Sequence, residues 1–342
     1  MIKYPKFLDN NSNLIGVTAT SDSANLEKID YSIENLNNYG FRVIETSNVR
    51  NKSDKLVSSS GKTRASEFIQ LLENNDVNAI ITARGGEFLC DILPYIHEHS
   101  HKLKTLIPKW IQGYSDNSLL NFYLTTNYNI ATLHGSNFGE FAMRPYHKSL
   151  VDNINFLKGN FENNEFIQDS FESYQDGFVD EESPTDTYKL NKKTSYKVIG
   201  NDTKVDISGR LIGGCIDTIT QVLGTKFDNT VNFCSNFDEG MIWYIDNYEL
   251  NSCELYRKLL QMKNAGYFEN AKGFLIGRTF AKDSSEDFTM EGALKKSLLS
   301  LNVPIIVDVD IGHVSPQILI VNGAMARFSF ADGKYELIQY LK

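Results

Sequence analysis

In Trp110-Ile-Gln-Gly-Tyr-Ser-Asp-Asn-Ser-Leu-Leu-Asn-Phe-Tyr-Leu, residues 110–124, an apolar run that begins at Thr105 stops at Gly113. Ser115 follows two residues later and an amphipathic segment starts at once. Strand, sharp turn and helix form the context in which a serine is lifted out of the backbone with its Oγ exposed. Ser115 then stands at a helix N-terminus, where unpaired N–H groups and the helix dipole favour a developing negative charge. The bland alternative is that Ser115 or Asp116 merely caps the helix. The G-x-S-x-G pattern is also incomplete, because Asn117 stands where its second glycine would be.

The same alternation extends on both sides. Leu14-Ile-Gly-Val-Thr-Ala-Thr reads as a strand, followed by a helix capped by Ser23 and ending near Gly40. Phe41–Thr46 is the next strand and Arg64–Asn74 the next helix. Val77–Ala83 leads into Arg84-Gly85-Gly86, and a helix is expected over Phe88–His97. Ile130–Leu133 adds another strand. Strands alternating with helices predict a parallel sheet that binds ligands at the carboxyl ends of its strands. The expected fold class is α/β. A parallel-sheet domain of Rossmann or flavodoxin type spans 1–160, and a smaller α/β domain with a β-rich, barrel-like core spans 206–342.

Residues 161–205 are polar and acidic, with Asn163-Asn-Glu, Tyr174-Gln-Asp-Gly and Asp180-Glu-Glu-Ser-Pro-Thr-Asp, and read as a connector with a loop or short hairpin over the cleft. The C-terminal part is expected to hold a Gly-rich turn and helix at Gly213-Gly214, a strand at Met241–Ile245 and a helix through Leu255, Leu259 and Met262. Further strands are expected at Gly273–Gly277, Val303–Val307 and Gln317–Ile320, and a closing hairpin around Ala331-Asp-Gly.

The chain has 342 residues, more than one core usually organises, so two domains are expected. A net charge of −9 without a basic stretch argues against nucleic acid as a partner. Neither a signal peptide nor a run of membrane-spanning length is visible, so no membrane association and a cytoplasmic location are expected. Cys90, Cys215, Cys234 and Cys253 form no C-x-x-C pair and read as reduced thiols. His97, His99 and His101 alternate at a spacing that suits neither one helix face nor a closed ligand shell, so they read as a solvated helix end. No metal and no cofactor are expected.

A nucleophilic serine needs a base and an acid that orients it. His313, in Asp310-Ile-Gly-His-Val-Ser-Pro just past an apolar run, is one candidate base, and His134 in Leu133-His-Gly-Ser-Asn is the other. Asp246 ends the strand Ile242-Trp-Tyr-Ile and is the candidate acid, with Glu249 three residues on. Asp246 could instead cap the helix that follows. The oxyanion hole would use the backbone N–H of Asp116, directly after the serine, and that of Gly86. For Gly85-Gly86, a tight turn or a phosphate cradle is the competing reading.

As a set these segments resemble the LD-carboxypeptidases and the related microcin C immunity peptidases. The carrying residues are Arg84-Gly-Gly, Gln112-Gly-Tyr-Ser-Asp-Asn-Ser, Leu133-His-Gly-Ser-Asn-Phe and Gly209-Arg-Leu-Ile-Gly-Gly-Cys, then Trp243-Tyr-Ile-Asp, Ala271-Lys-Gly-Phe-Leu-Ile-Gly-Arg and Ile311-Gly-His. The resemblance implies a Ser-Glu-His triad, which falls on Ser115, Asp246 in place of the glutamate, and His313. It also places Cys215 in the substrate cleft, where many relatives carry asparagine. The implied reaction is serine carboxypeptidase cleavage of an L-to-D bond in cytoplasmic murein tetrapeptide, releasing terminal D-alanine, by a homodimeric enzyme. The related alternative is hydrolysis of a peptidyl-nucleotide antibiotic for self-immunity. Relatives of that kind often carry tryptophan in the loop over the cleft, and residues 160–205 contain none. The second alternative is a binding protein on the same fold that has lost catalysis.

Overall fold

Five short strands build the first sheet: β1 (Leu14–Thr18), β2 (Arg42–Glu45), β3 (Val77–Thr82), β4 (Trp110–Gln112) and β5 (Thr132–His134). They are parallel, in the order β2-β1-β3-β4-β5. β1, β4 and β5 are buried at every position, as strands covered by helices on both faces must be. The computed structural model of the protein describes residues 1–51, 56–177, 182–200 and 203–342.

Local chemistry moves several boundaries away from the expectation. The first helix, Leu26–Asn38, is capped by Asn25 rather than Ser23, because the Asn25 side chain accepts from the N–H groups of Glu27 and Lys28. The expected helix over Phe88–His97 is broken into a 3₁₀ turn, Leu89–Ile92, and a helix, Leu93–Glu98. Pro94 lacks an N–H and is tolerated only in a first turn, so it opens a new helix instead of sitting inside one. The apolar run starting at Thr105 is not all strand either. Ser100–Thr105 is helical, and β4 begins only past Pro108.

The second sheet is β-rich. Its strands are β6 (Glu165–Asp169), β9 (Lys197–Val198), β10 (Val205–Cys215), β11 (Met241–Asp246), β12 (Ala271–Gly277), β13 (Ile305–Val309), β15 (Met325–Ala331) and β16 (Lys334–Tyr340). The order is β6-β16-β15-β10-β11-β12-β13-β9, and β10 through β13 are parallel. Both outer strands come from 161–205, the stretch read as connector. Between them β7 (Ser173–Tyr174) pairs with β8 (Lys192–Lys193) in a small separate hairpin. Asp180 and Glu181 of the acidic stretch lie outside the described residues.

Gly213-Gly214 is not a turn but the last part of β10. A Cβ on Gly213 would stand 1.8 Å from the Tyr244 carbonyl oxygen, so glycine serves the close approach of β10 to β11. The strand expected at Gln317–Ile320 sits later, as β14 (Ile320–Asn322), and it leaves the second sheet to pair antiparallel with β5. The C-terminal chain thereby joins the edge of the first sheet, and the carboxyl ends of β3, β4, β10 and β11 line one cleft. No helix among the described residues is long and apolar enough to cross a membrane.

Candidate active site

The turn after β4 is built by close packing. A Cβ on Gly113 would lie 2.2 Å from Thr82 Oγ1, so the chain passes β3 only as glycine. Two residues on, Ser115 has φ +61, a left-handed conformation that costs about 1–3 kcal/mol in a residue other than glycine. Asn117, at the position of the missing second glycine, uses its side chain. Its Oδ1 accepts from Thr20 Oγ1 at 2.5 Å, and its Nδ2 donates to the Arg84 carbonyl at 2.8 Å and Asn137 Oδ1 at 3.0 Å. The strained elbow is therefore clamped to the loops after β1, β3 and β5. Neither Ser115 nor Asp116 caps the helix Ser118–Tyr128, whose start has no side-chain cap.

Ser115 Oγ lies 3.0 Å from His313 Nε2. On the far side of the ring, Asp246 Oδ1 accepts the hydrogen bond of His313 Nδ1 at 3.1 Å, and Oδ2 stands 2.9 Å from the same nitrogen as an ion-pair contact. Asp246 is fully buried at the end of β11, and it caps no helix, since Asn251 caps the one that follows. Gly312 has φ +85, and a Cβ there would stand 1.9 Å from Asp246 Oδ1, so only glycine lets the histidine loop settle onto the acid. The imidazole is also held by Tyr114 and Tyr248, whose ring centroids are 5.1 and 4.4 Å away. Burial disfavours the imidazolium, but the charge of Asp246 and its hydrogen bond outweigh burial and raise His313 above its ordinary pKa.

The other sequence candidates part company here. His134 is fully buried and meets Ser118 Oγ at 3.3 Å, with no bond to Ser115. Burial lowers its pKa to about 4, so it stays neutral. Glu249 lines the cleft, but the carboxylate at His313 Nδ1 is that of Asp246. His97 bonds Tyr123 Oη at 2.9 Å, and His99, at the junction of two short helices, stacks on His101. The three form no potential metal-binding group among the described residues.

Opposite the elbow, Gly85 presses on the serine: a Cβ there would be 2.8 Å from Ser115 Cβ and 2.9 Å from its Oγ. The Gly86 N–H, the expected oxyanion donor, has no hydrogen-bond partner among the described residues. Side chains fix the loop that carries it. Asp22 Oδ1 accepts from Glu87 N at 3.2 Å, Ser21 Oγ from Phe88 N at 3.1 Å, and Asp116 Oδ2 from Leu89 N at 2.8 Å. Ser21 Oγ also donates to Asp116 Oδ2 at 2.5 Å. Burial raises the Asp116 pKa to about 6.

Cys215, buried at the end of β10, donates its thiol hydrogen to Asp217 Oδ2 at 3.3 Å. Asp217 in turn accepts from the N–H groups of Tyr248 and Glu249 at 3.0 and 3.1 Å, fixing the loop behind Asp246. Asp217, Tyr114 and Tyr248 went unassigned in the sequence. Only their adjacency to Cys215, Ser115 and Asp246 marks them. Ser115, His313, Cys215, Asp217, Tyr114 and Tyr248 face one cleft of about 920 Å³, which Arg84, Glu140, Tyr188 and Lys189 also line.

Two family models match the chain: the LD-carboxypeptidase N-terminal domain over residues 15–135 and the LD-carboxypeptidase C-terminal domain over 208–328. A probable murein peptide carboxypeptidase of Bacillus subtilis is 23% identical over 96% of this chain and 92% of its own length. The microcin C7 self-immunity protein MccF of Escherichia coli is 23% identical over 90% of this chain and 88% of its own. A solved structure of MccF in complex with aspartyl sulfamoyl adenosine superimposes with a TM-score of 0.82 at 20% identity, covering 100% of this chain and 99% of that one.

Proposed function

The chain belongs to the LD-carboxypeptidase family of peptidases, and from that premise we propose that it is a serine-type carboxypeptidase whose triad is Ser115, His313 and Asp246. The observation that carries this reading is the continuous contact from Ser115 Oγ through His313 to Asp246, at 3.0 and 2.9 Å. His313 Nε2 takes the hydroxyl proton as Oγ attacks the scissile carbonyl, and Asp246 stabilises the imidazolium that forms. The N–H groups of Gly86 and Asp116 receive the oxyanion. His313 then gives its proton to the leaving amine, and water hydrolyses the acyl-enzyme by the same route reversed.

In this reading residues 1–160 carry the nucleophile, 206–342 carry the acid and base, and 161–205 supply the cleft loop. The enzyme works in the cytoplasm as a homodimer, without a metal. The substrate is murein tetrapeptide, cut at its L-to-D bond with release of D-alanine. The murein-named relative and the lack of tryptophan in 161–205 support that choice. A peptidyl-nucleotide substrate is the second reading. It is favoured by a cleft of about 920 Å³ with Tyr188 and Tyr248 on its wall, large enough for a nucleotide and offering rings for a base to stack on.

The test runs murein tetrapeptide and an aminoacyl-adenylate analogue in parallel, with products read by mass spectrometry. D-alanine release supports the first reading, and nucleotide release supports the second. A fluorophosphonate probe should label Ser115. No labelling and no product would leave a binding protein on this fold.

A further inference from the structure

Cys215 Sγ, a carboxylate oxygen of Asp246 and a ring nitrogen of His313 all lie within 4.8 Å of one another, the one such group among the described residues. They come from three different segments: the end of β10, the end of β11 and the loop after β13. We propose that they form a site for a soft divalent cation such as Zn²⁺ or Cd²⁺, and that occupancy switches the enzyme off. The inhibitory half of this statement rests on the triad reading above, whereas the binding half does not.

Ligand atoms of a tetrahedral zinc stand roughly 3 to 4 Å apart. The Asp246–His313 pair stands at 2.9 Å and one ligand atom of each residue lies within 4.8 Å of the others, so a shell closes once the carboxylate swings off the Nδ1 axis and the thiol moves in. The donor set is thiolate, imidazole and carboxylate, the mixture that suits zinc and cadmium and not magnesium or calcium. The charges also balance, because one thiolate and one carboxylate neutralise a divalent ion in a buried place. Cys215 and His313 both line the cleft, which is the entry path.

The metal–sulfur bond forms as the Cys215 Sγ–H bond breaks, and Asp217 Oδ2, 3.3 Å from the sulfur, is placed to pass that proton to solvent. Nδ1, the ring nitrogen that faces Asp246, binds the metal, and its proton is replaced by one on Nε2 so that the ring stays neutral. An Nε2 that carries a proton cannot accept one from Ser115, so binding removes the base without touching the nucleophile. No oxidant or reductant takes part.

The experiment uses the full-length protein freed of metal, with Zn²⁺ and Cd²⁺ as the probes. Ser115→Ala protein should bind one Cd²⁺ and show the ultraviolet thiolate-to-cadmium charge-transfer band, an outcome independent of peptidase activity. Cys215→Ser and Cys215→Ala should lose that band. Zn²⁺ inhibition of each, measured against the variant's own metal-free rate, should weaken by about a hundred-fold or more, with EDTA reversing it in the parent protein. Equal inhibition of parent and variants overturns the proposal. X-ray absorption at the zinc edge of the parent protein with one equivalent bound does not depend on how the variants fold. Sulfur and imidazole in one shell support the site, and a shell without sulfur overturns it.

Discussion

The serine elbow and the histidine loop meet across 3.0 Å, yet opposite means hold them in place. Ser115 is aimed by its own backbone. Gly113 permits the approach to β3, φ +61 turns the side chain outward, and Asn117 ties the turn down. His313 is aimed by partners far away in sequence: Asp246 is 67 residues earlier and Ser115 is 198 earlier. The root of its loop is held likewise, since buried Asp310 pairs with Arg278 and accepts from Tyr196 and Tyr335 at 2.7 and 2.6 Å. A strained local turn leaves a mark in neighbouring residues. A base assembled from distant contacts leaves almost none.

The sharpest way to break this comparison is to delete the group that the elbow presents. Ser115→Ala should lose turnover on the order of a million-fold while keeping its fold and substrate affinity. A variant that retained a tenth of parental kcat would remove Ser115 from the chemistry. Next comes the far end of the base. Asp246→Asn keeps the size but favours the wrong imidazole tautomer, and should cost about ten-thousand-fold in kcat. Glu249→Gln should cost far less, because Asp246 alone stands at Nδ1. The reverse ranking in steady-state rates would move the acid to Glu249. Asp246→Glu tests the space: the acid is fully buried against Gly312, so the extra methylene should cost about 1–3 kcal/mol of stability by overpacking.

The same contrast explains what the sequence made legible. The α/β class, β1 to β5 and the elbow all follow from short-range pattern, because parallel strands buried on both faces are apolar throughout and end in Gly and polar residues. His313 and Asp246 could be proposed from strand ends, but His134 and Glu249 competed until the tertiary contacts were known. Gly85 illustrates the difficulty: as a sequence it forms half of a turn, and only packing shows it pressed on Ser115. β14 begins three residues later than the apolar run predicts. Its three residues carry no sign that they desert one sheet for the edge of another. Asp217 was invisible for the same reason, since its work is to hold N–H groups 31 and 32 residues away.

Gly312→Ala asks how tightly the distant partners constrain the base. A left-handed non-glycine residue costs about 1–3 kcal/mol, and the new Cβ would also displace Asp246 Oδ1. Activity should fall by about a hundred-fold or less, mostly in kcat, with a melting temperature lower than that of the parent. The equivalent change at Gly333, where φ is +75 and no atom lies near the added Cβ, should lower stability and leave kcat alone. Equal effects on kcat would mean that Gly312 supplies only backbone freedom and does not seat the acid.

The smallest effect concerns Asp116, which belongs to the elbow by sequence but works as a distant partner by tying Ser21 and Leu89 to it. Burial raises its pKa from 3.8 to about 6. A carboxyl raised in the folded state favours folding while it is protonated. That contribution is complete below the unfolded value and is lost as pH rises through about 6. Between pH 4 and 7 the parent should therefore lose up to about 3 kcal/mol through this group, less whatever the surroundings relax. Asp116→Asn keeps an acceptor oxygen for Leu89 N but puts an amide where Oδ1 has no partner, a cost that does not change with pH. The diagnostic is thus the slope and not the offset. Denaturant midpoints of variant and parent, compared from pH 4 to 7, should shift steadily in the variant's favour as pH rises, because every other titrating group is common to both. Parallel curves would mean that Asp116 titrates as an ordinary carboxylate.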